Sequence, residues 1–135
     1  MQQRELGQAQ TPISAIGYGA MSFSDFYGPT DDAKSFAILD RCMDLGITHL
    51  DTSNVYGLGL SEQRIGAYLK QRGQQARDFF TIATKAGIAS KPDGSRYFNN
   101  SAEHLRKELD GSLQRLGVEQ VELLYVHRRD ASVPI

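Results

Sequence analysis

Four side chains in this 135-residue sequence, Asp51, Tyr56, Lys85 and His127, are of types that together can deliver a proton to an oxygen. A tyrosine hydroxyl in water titrates at about pH 10, so near neutrality it acts as an acid or base only with help. A nearby ammonium gives that help by favouring the phenolate. Lys85 can be that ammonium. A lysine closing an apolar strand is costly to bury without a counter-charge, and Asp51 on a neighbouring strand is available as one. His127 can donate a hydrogen bond to a substrate oxygen and orient it beside Tyr56, and general acid catalysis of this sort is typically worth ~100-fold to ~10,000-fold in rate. Each group also has a plainer role: Lys85 and Asp51 as a structural salt bridge, Tyr56 as a packed loop ring, His127 as a strand-end histidine satisfied by a neighbour. The other two histidines receive no role, since His49 reads as packing and His104, early in a helix, as solvated.

Other chemistries lack their patterns. The four groups have no metal-ligand spacing, and the sequence has no Gly-x-Ser-x-Gly elbow and no phosphate loop ending in Gly-Lys-Ser/Thr. What remains is an acid protonating an oxygen while something else attacks the carbon. No side chain is a hydride source, so a nicotinamide cofactor would have to provide it. A formal charge of -1 gives no electrostatic reason to expect nucleic acid or an anionic membrane as partner, and small neutral or modestly polar substrates fit better. With a single cysteine, Cys42, no disulfide framework or thiol metal cluster is available, and a reducing cytoplasm is the expected compartment. No charged-then-apolar leader opens the sequence, and no apolar run approaches the ~18 residues of a membrane span.

The elements that must position these groups follow from pattern and punctuation. Pro12 to Tyr18 reads as a strand entering the glycine-shaped loop Gly17-Tyr18-Gly19. Thr30 offers an N-cap, Asp31 and Asp32 favour the positive helix start, and Phe36, Leu39 and Met43 recur at helical spacing until Gly46. Thr48 to Asp51 is a short strand, Thr52 to Leu60 a polar loop, and a second helix runs from Ser61, with Ile65, Tyr68 and Leu69 on one face, to Gly73. Phe79 to Thr84 is aromatic and β-branched, as a buried strand should be, and ends at Lys85-Ala86-Gly87; a loop containing Pro92-Asp93-Gly94 follows. From Ser101 a third helix sets Leu105, Leu109, Leu113 and Leu116 on one face before Gly117, and Val121 to Val126 makes a last apolar strand.

Strands separated by helices imply an α/β fold of four parallel strands and three helices, either a doubly wound sheet or part of a (β/α)8 barrel. Asp51, Lys85 and His127 each end, or immediately follow, one of three successive strands. Parallel strands put those ends on one rim, the face on which a barrel gathers its active-site loops. A Rossmann dehydrogenase remains as an alternative, but Gly17-Tyr18-Gly19 lacks the third glycine of the dinucleotide fingerprint and a long loop precedes the first helix.

These residues resemble the aldo-keto reductase family. Gly46-Ile47-Thr48-His49-Leu50-Asp51-Thr52-Ser53, with Tyr56-Gly57, Ser61-Glu62 and Ile65-Gly66, is similar to its first signature. Thr84-Lys85 and Val126-His127-Arg128 resemble its lysine and histidine segments in the right order. Gly19 to Ser22, Phe26 to Thr30, His127-Arg128-Arg129-Asp130 and Val133-Pro134-Ile135 resemble the bacterial and plant branch acting on small aldehydes and ketones.

The resemblance implies a (β/α)8 TIM barrel and NADPH as cofactor. It makes Tyr56 the proton donor, Lys85 and Asp51 the groups that tune it, and His127 the group that orients the carbonyl. Gly19, Ala20, Met21 and Asp51 would lie beside the nicotinamide. A barrel of this type takes about 250 residues, so residues 1–135 are expected to be its N-terminal half, an incomplete domain with an incomplete cofactor site. Its sheet edges would then be open to self-association. The implied activity is reduction of aldehydes or ketones to alcohols; the alternative is a catalytically inactive truncated or regulatory module of the same fold.

Overall fold

The computed structural model describes residues 1–91 and 93–134; Pro92 of the expected 92–94 turn and Ile135 of the family-like stretch 133–135 lie outside the described residues. The chain opens with an antiparallel hairpin, β1 (Gln3–Leu6) on β2 (Thr11–Ser14). A bend leads to the two-residue strand β3 (Tyr18–Gly19) and a 3-10 turn over Ala20–Ser24. Then come α1 (Asp32–Leu45), β4 (His49–Asp51), α2 (Leu60–Arg72), α3 (Gln74–Phe79) and β5 (Thr81–Ala86). A second hairpin, β6 (Ile88–Ser90) on β7 (Arg96–Phe98), precedes α4 (Ala102–Leu116) and β8 (Leu123–Val126).

Strands β3, β4, β5 and β8 form one parallel sheet in that order, so neighbours in space are neighbours in the chain. A doubly wound sheet needs a point where strand order reverses. None occurs among the described strands, and the progression is that of a barrel wall. The expected α/β class, with four parallel strands and three long helices, is the one the chain adopts.

Several boundaries differ from the sequence expectation, each for a local reason. The first expected strand is two elements: at Ser14, the buried last residue of β2, the side chain turns to the segment entering β4, its Oγ accepting the Thr48 N–H at 2.9 Å and donating to the Ile16 carbonyl at 2.7 Å. The cap of α1 is Asp31 rather than Thr30, its carboxylate accepting the Lys34 N–H at 2.7 Å, while the Thr30 N–H goes to Asp25. Phe79 ends α3 instead of starting β5; Phe79 and Phe80 stack edge to face at 5.0 Å, and Phe80 turns into the core. The loop after β5 contains the β6–β7 hairpin, closed by Lys91 N–H to Ser95 O at 2.8 Å and by Asp93 accepting from Ser95.

The core lies between the sheet and its helices. Leu39 and Cys42 of α1, Ile65, Tyr68 and Leu69 of α2, and Leu116 of α4 pack on Leu50 of β4 and Ile82 of β5. Each large side chain removed fully from water contributes about 1.5–3 kcal/mol. α2 and α4 approach so closely that a Cβ at Gly66 would sit 2.2 Å from the Arg115 carbonyl oxygen. Beneath that contact the fully buried Glu62 carboxylate accepts from Arg115 Nε at 2.6 Å and from the Thr84 hydroxyl at 2.6 Å. The charge is paired and each carboxylate oxygen accepts a hydrogen bond, which is what makes a buried carboxylate tolerable. No helix among the described residues is long and apolar enough to cross a membrane.

Candidate active site

The rim expected from the sequence exists. Asp51 is the last residue of β4, Lys85 lies near the end of β5, and His127 follows β8, its N–H held by the Ala86 carbonyl at 2.8 Å. Tyr56 reaches the same place from the loop after β4. That loop folds back tightly: the Tyr56 N–H donates to Ser53 O at 3.2 Å, and Gly57, at φ 59°, leaves no room for a Cβ, which would meet Ser24 Cβ at 2.9 Å. Only glycine combines that backbone with that clearance.

Asp51 and Tyr56 meet around the Lys85 ammonium, and His127 stands against the Tyr56 ring. Lys85 Nζ donates to Asp51 Oδ1 at 2.5 Å, to the Thr52 carbonyl at 2.7 Å and to the Tyr56 hydroxyl oxygen at 3.1 Å. Its side chain is only 13% exposed. Three acceptors satisfy its three donors, so the lysine is fixed in place with its charge on the phenol oxygen. The His127 ring stands edge to face with Tyr56, centroids 5.9 Å apart. Burial first, then the charges of Lys85 and Arg128, push the His127 ring below its ordinary range near 6.5, with Asp51 opposing. The ring is therefore neutral at pH 7 and carries a single N–H. Tyr68, by contrast, is driven up to about 12 by burial and by Asp40, to which it donates at 2.8 Å; that tyrosine is a structural donor.

Two contributors escaped sequence reasoning. Ser53, fully buried, puts its Oγ 3.1 Å from His127 Nδ1 and accepts from the Val55 N–H at 3.4 Å. Its position two residues after Asp51 was the available signal. The other is the β6–β7 hairpin, which carries Arg96 and Phe98 to the wall of a cavity of about 610 Å³ beside Tyr56 and His127. His104, expected to be solvated, is half-buried with Nε2 shielded and lines a second cavity with Tyr97 and Glu108. His49 is half-buried as expected for packing, its ring against Gly17.

Of the residues expected beside a nicotinamide, Gly19 faces open space, Met21 lines the cavity, and the Asp51 side chain is 30% exposed. Ala20 lies beneath them with no exposed surface, its carbonyl accepting the Ser61 hydroxyl at 2.8 Å. An open strand end bordered by a thioether and a carboxylate fits a planar ring with a polar edge. The residues present therefore suit the nicotinamide end of such a cofactor, with Ala20 supporting from below.

A parallel strand-helix progression with a lysine-held tyrosine hydroxyl at the carboxyl ends of its strands places these polar groups on the face where a (β/α)8 barrel gathers its active-site loops. Residues 15–135 match the Aldo/keto reductase family, and the chain belongs to it. It is 39% identical over 133 residues to a Schizosaccharomyces pombe aldo-keto reductase whose name specifies NADP(+), covering 98% of this chain and 38% of that protein. With the L-galactose dehydrogenase of Arabidopsis thaliana it shares 36% identity, over 92% of this chain and 37% of the relative. The holo form of a Bacillus halodurans aldo-keto reductase superposes with a TM-score of 0.83 at 32% identity, over 99% of this chain and 42% of that structure. The chain thus spans less than half the length of the relatives it matches.

Proposed function

We propose that this chain carries the proton-transfer side of an NADPH-dependent reduction of aldehydes or ketones to alcohols. The observation that carries the reading is the Tyr56 hydroxyl held 3.1 Å from a lysine that Asp51 and the Thr52 carbonyl fix in place, at the edge of a cavity. When bound, the nicotinamide supplies a hydride to the carbonyl carbon. Tyr56 gives its hydroxyl proton to the carbonyl oxygen, and the Lys85 ammonium stabilises the phenolate left behind. Neutral His127 donates its one N–H to that oxygen and sets its direction beside Tyr56. The name of the S. pombe relative, which includes NADP(+), supports the cofactor assigned here.

The test is Tyr56→Phe in the whole protein. Removing the proton donor while keeping the ring should abolish carbonyl reduction and leave NADPH binding, followed by its fluorescence, largely intact. Undiminished turnover would remove Tyr56 from the role. Absence of any fluorescence change at high NADPH would favour a non-catalytic module of the same fold.

A further inference from the structure

The net charge of the chain, -1, hides a local imbalance at the reaction cavity. Arg96, from β7, and Arg128, next to His127, both line it, and among the described residues no aspartate or glutamate does so. Both arginines are exposed, and among the described residues neither guanidinium has an ion pair or a side-chain hydrogen bond. Arg64, Arg72 and Arg115 each engage a carboxylate within 3.4 Å, whereas no carboxylate of the described residues stands against Arg96 or Arg128. Asp51, the nearby acid, is taken by Lys85. Both arginine charges also reach the His127 ring, adding to the forces that keep it neutral. Between them the walls are apolar, with Phe26, Phe98, Met21 and Ile88.

We infer that the cavity is built for carbonyl compounds that carry an anionic group, an apolar or aryl body ending in a carboxylate, with Arg96 and Arg128 as the residues that select it. The inference rests on the reading of this cavity as the carbonyl site. A guanidinium presents a planar fork of donors matched to a carboxylate's two oxygens, and free arginines at a partly apolar cavity leave those donors for a ligand. Neutrality of His127 fits the same assignment. A ring that stays uncharged donates to the carbonyl oxygen without competing with the arginines for the carboxylate.

Binding of two probe ketones to the chain tests this without turnover: 4-acetylbenzoate and its neutral counterpart acetophenone, followed by the ¹⁵N signals of His127. Each partly exposed ion pair is worth up to about fivefold, so two should make 4-acetylbenzoate bind on the order of tenfold more tightly. That advantage should shrink as salt is raised, and Arg96→Gln with Arg128→Gln together should erase it. Equal affinity for the two ketones, no saturable binding of 4-acetylbenzoate, or a preference unchanged in the double variant would each overturn the assignment. A carboxylate preference without reduction in the whole protein would keep the anion site while sinking the proposed activity.

Discussion

Replacing Gly66 with alanine sets two opposed effects against each other. Alanine is the better helix former, by about 1 kcal/mol in a helix interior. The new methyl, however, would lie 2.2 Å from the Arg115 carbonyl oxygen and 2.9 Å from that of Leu116. Carbon and oxygen rest no closer than about 3.3 Å, so the end of α4 would have to withdraw by roughly an ångström. Overpacking of this kind costs about 1–3 kcal/mol, and here the obstacle is backbone, which cannot swing aside. Withdrawal also pulls Arg115 from the buried Glu62 carboxylate and opens Leu116, which has no exposed surface. Losing a partner from a buried charge costs about 3–5 kcal/mol, so the net change should be a destabilisation of at least about 2 kcal/mol. Gly111, in α4, makes the contrast: its Cβ would meet the Arg115 guanidinium, nearest Nη1 at 3.1 Å, a side chain held by Glu62 and Ser112 that has to give by only a few tenths of an ångström. Gly111→Ala should therefore change stability by less than about 1 kcal/mol, the helix-propensity gain offsetting the shift asked of Arg115. Urea unfolding followed by circular dichroism reads both as shifts of midpoint at constant slope. A Gly66→Ala chain as stable as the parent, or a Gly111→Ala chain weakened equally, would refute this account of the α2–α4 contact.

Two further outcomes concern His127. Because its folded pKa lies below the ordinary value near 6.5, the unfolded chain binds the proton first as pH falls. Stability should thus decline below about pH 6.5 until the folded ring also protonates, and His127→Gln should flatten that part of the unfolding-midpoint curve; an unaltered slope would contradict the assignment. The carboxylates that are held low, Asp25, Asp40, Asp93 and Asp130, start from 3.8 and act in a separate, more acidic range. Ser53→Ala removes the hydroxyl facing Nδ1, so the ¹⁵N tautomer pattern of His127 should change while those of His49 and His104 hold, whereas identical spectra would show that Ser53 does not set the ring's proton.

How much of this was legible beforehand depended on whether a signal was local. Helices α1, α2 and α4 announced themselves by apolar spacing and by Gly46, Gly73 and Gly117, which the chain uses as C-caps. Asp51, Lys85 and His127 were legible because parallel strands convert chain order into a shared rim, and Tyr56 because it falls in the loop adjoining Asp51, five residues on. The β6–β7 hairpin was not: its strands are three residues each and Arg96-Tyr97-Phe98 is exposed, so no buried face imposed a period of two. Ser53 and the free arginines were invisible for a different reason. Their meaning lies in what stands opposite them in space, on segments some 30 to 70 positions away in the chain, and a pairing of that range leaves no mark in a local window.

The matching of sheet order to chain order also has a consequence for synthesis. A nascent chain leaves the ribosome from its amino terminus, and domains begin to organise as their segments emerge. Here each new strand finds its partner already made, since β4 docks on β3, β5 on β4 and β8 on β5. Asp51 and Tyr56 are laid down first, Lys85 next, and His127 only when the last of these strands arrives. Translation therefore lays down the residues of the ammonium–tyrosine contact before His127, whose ring stands edge to face on Tyr56.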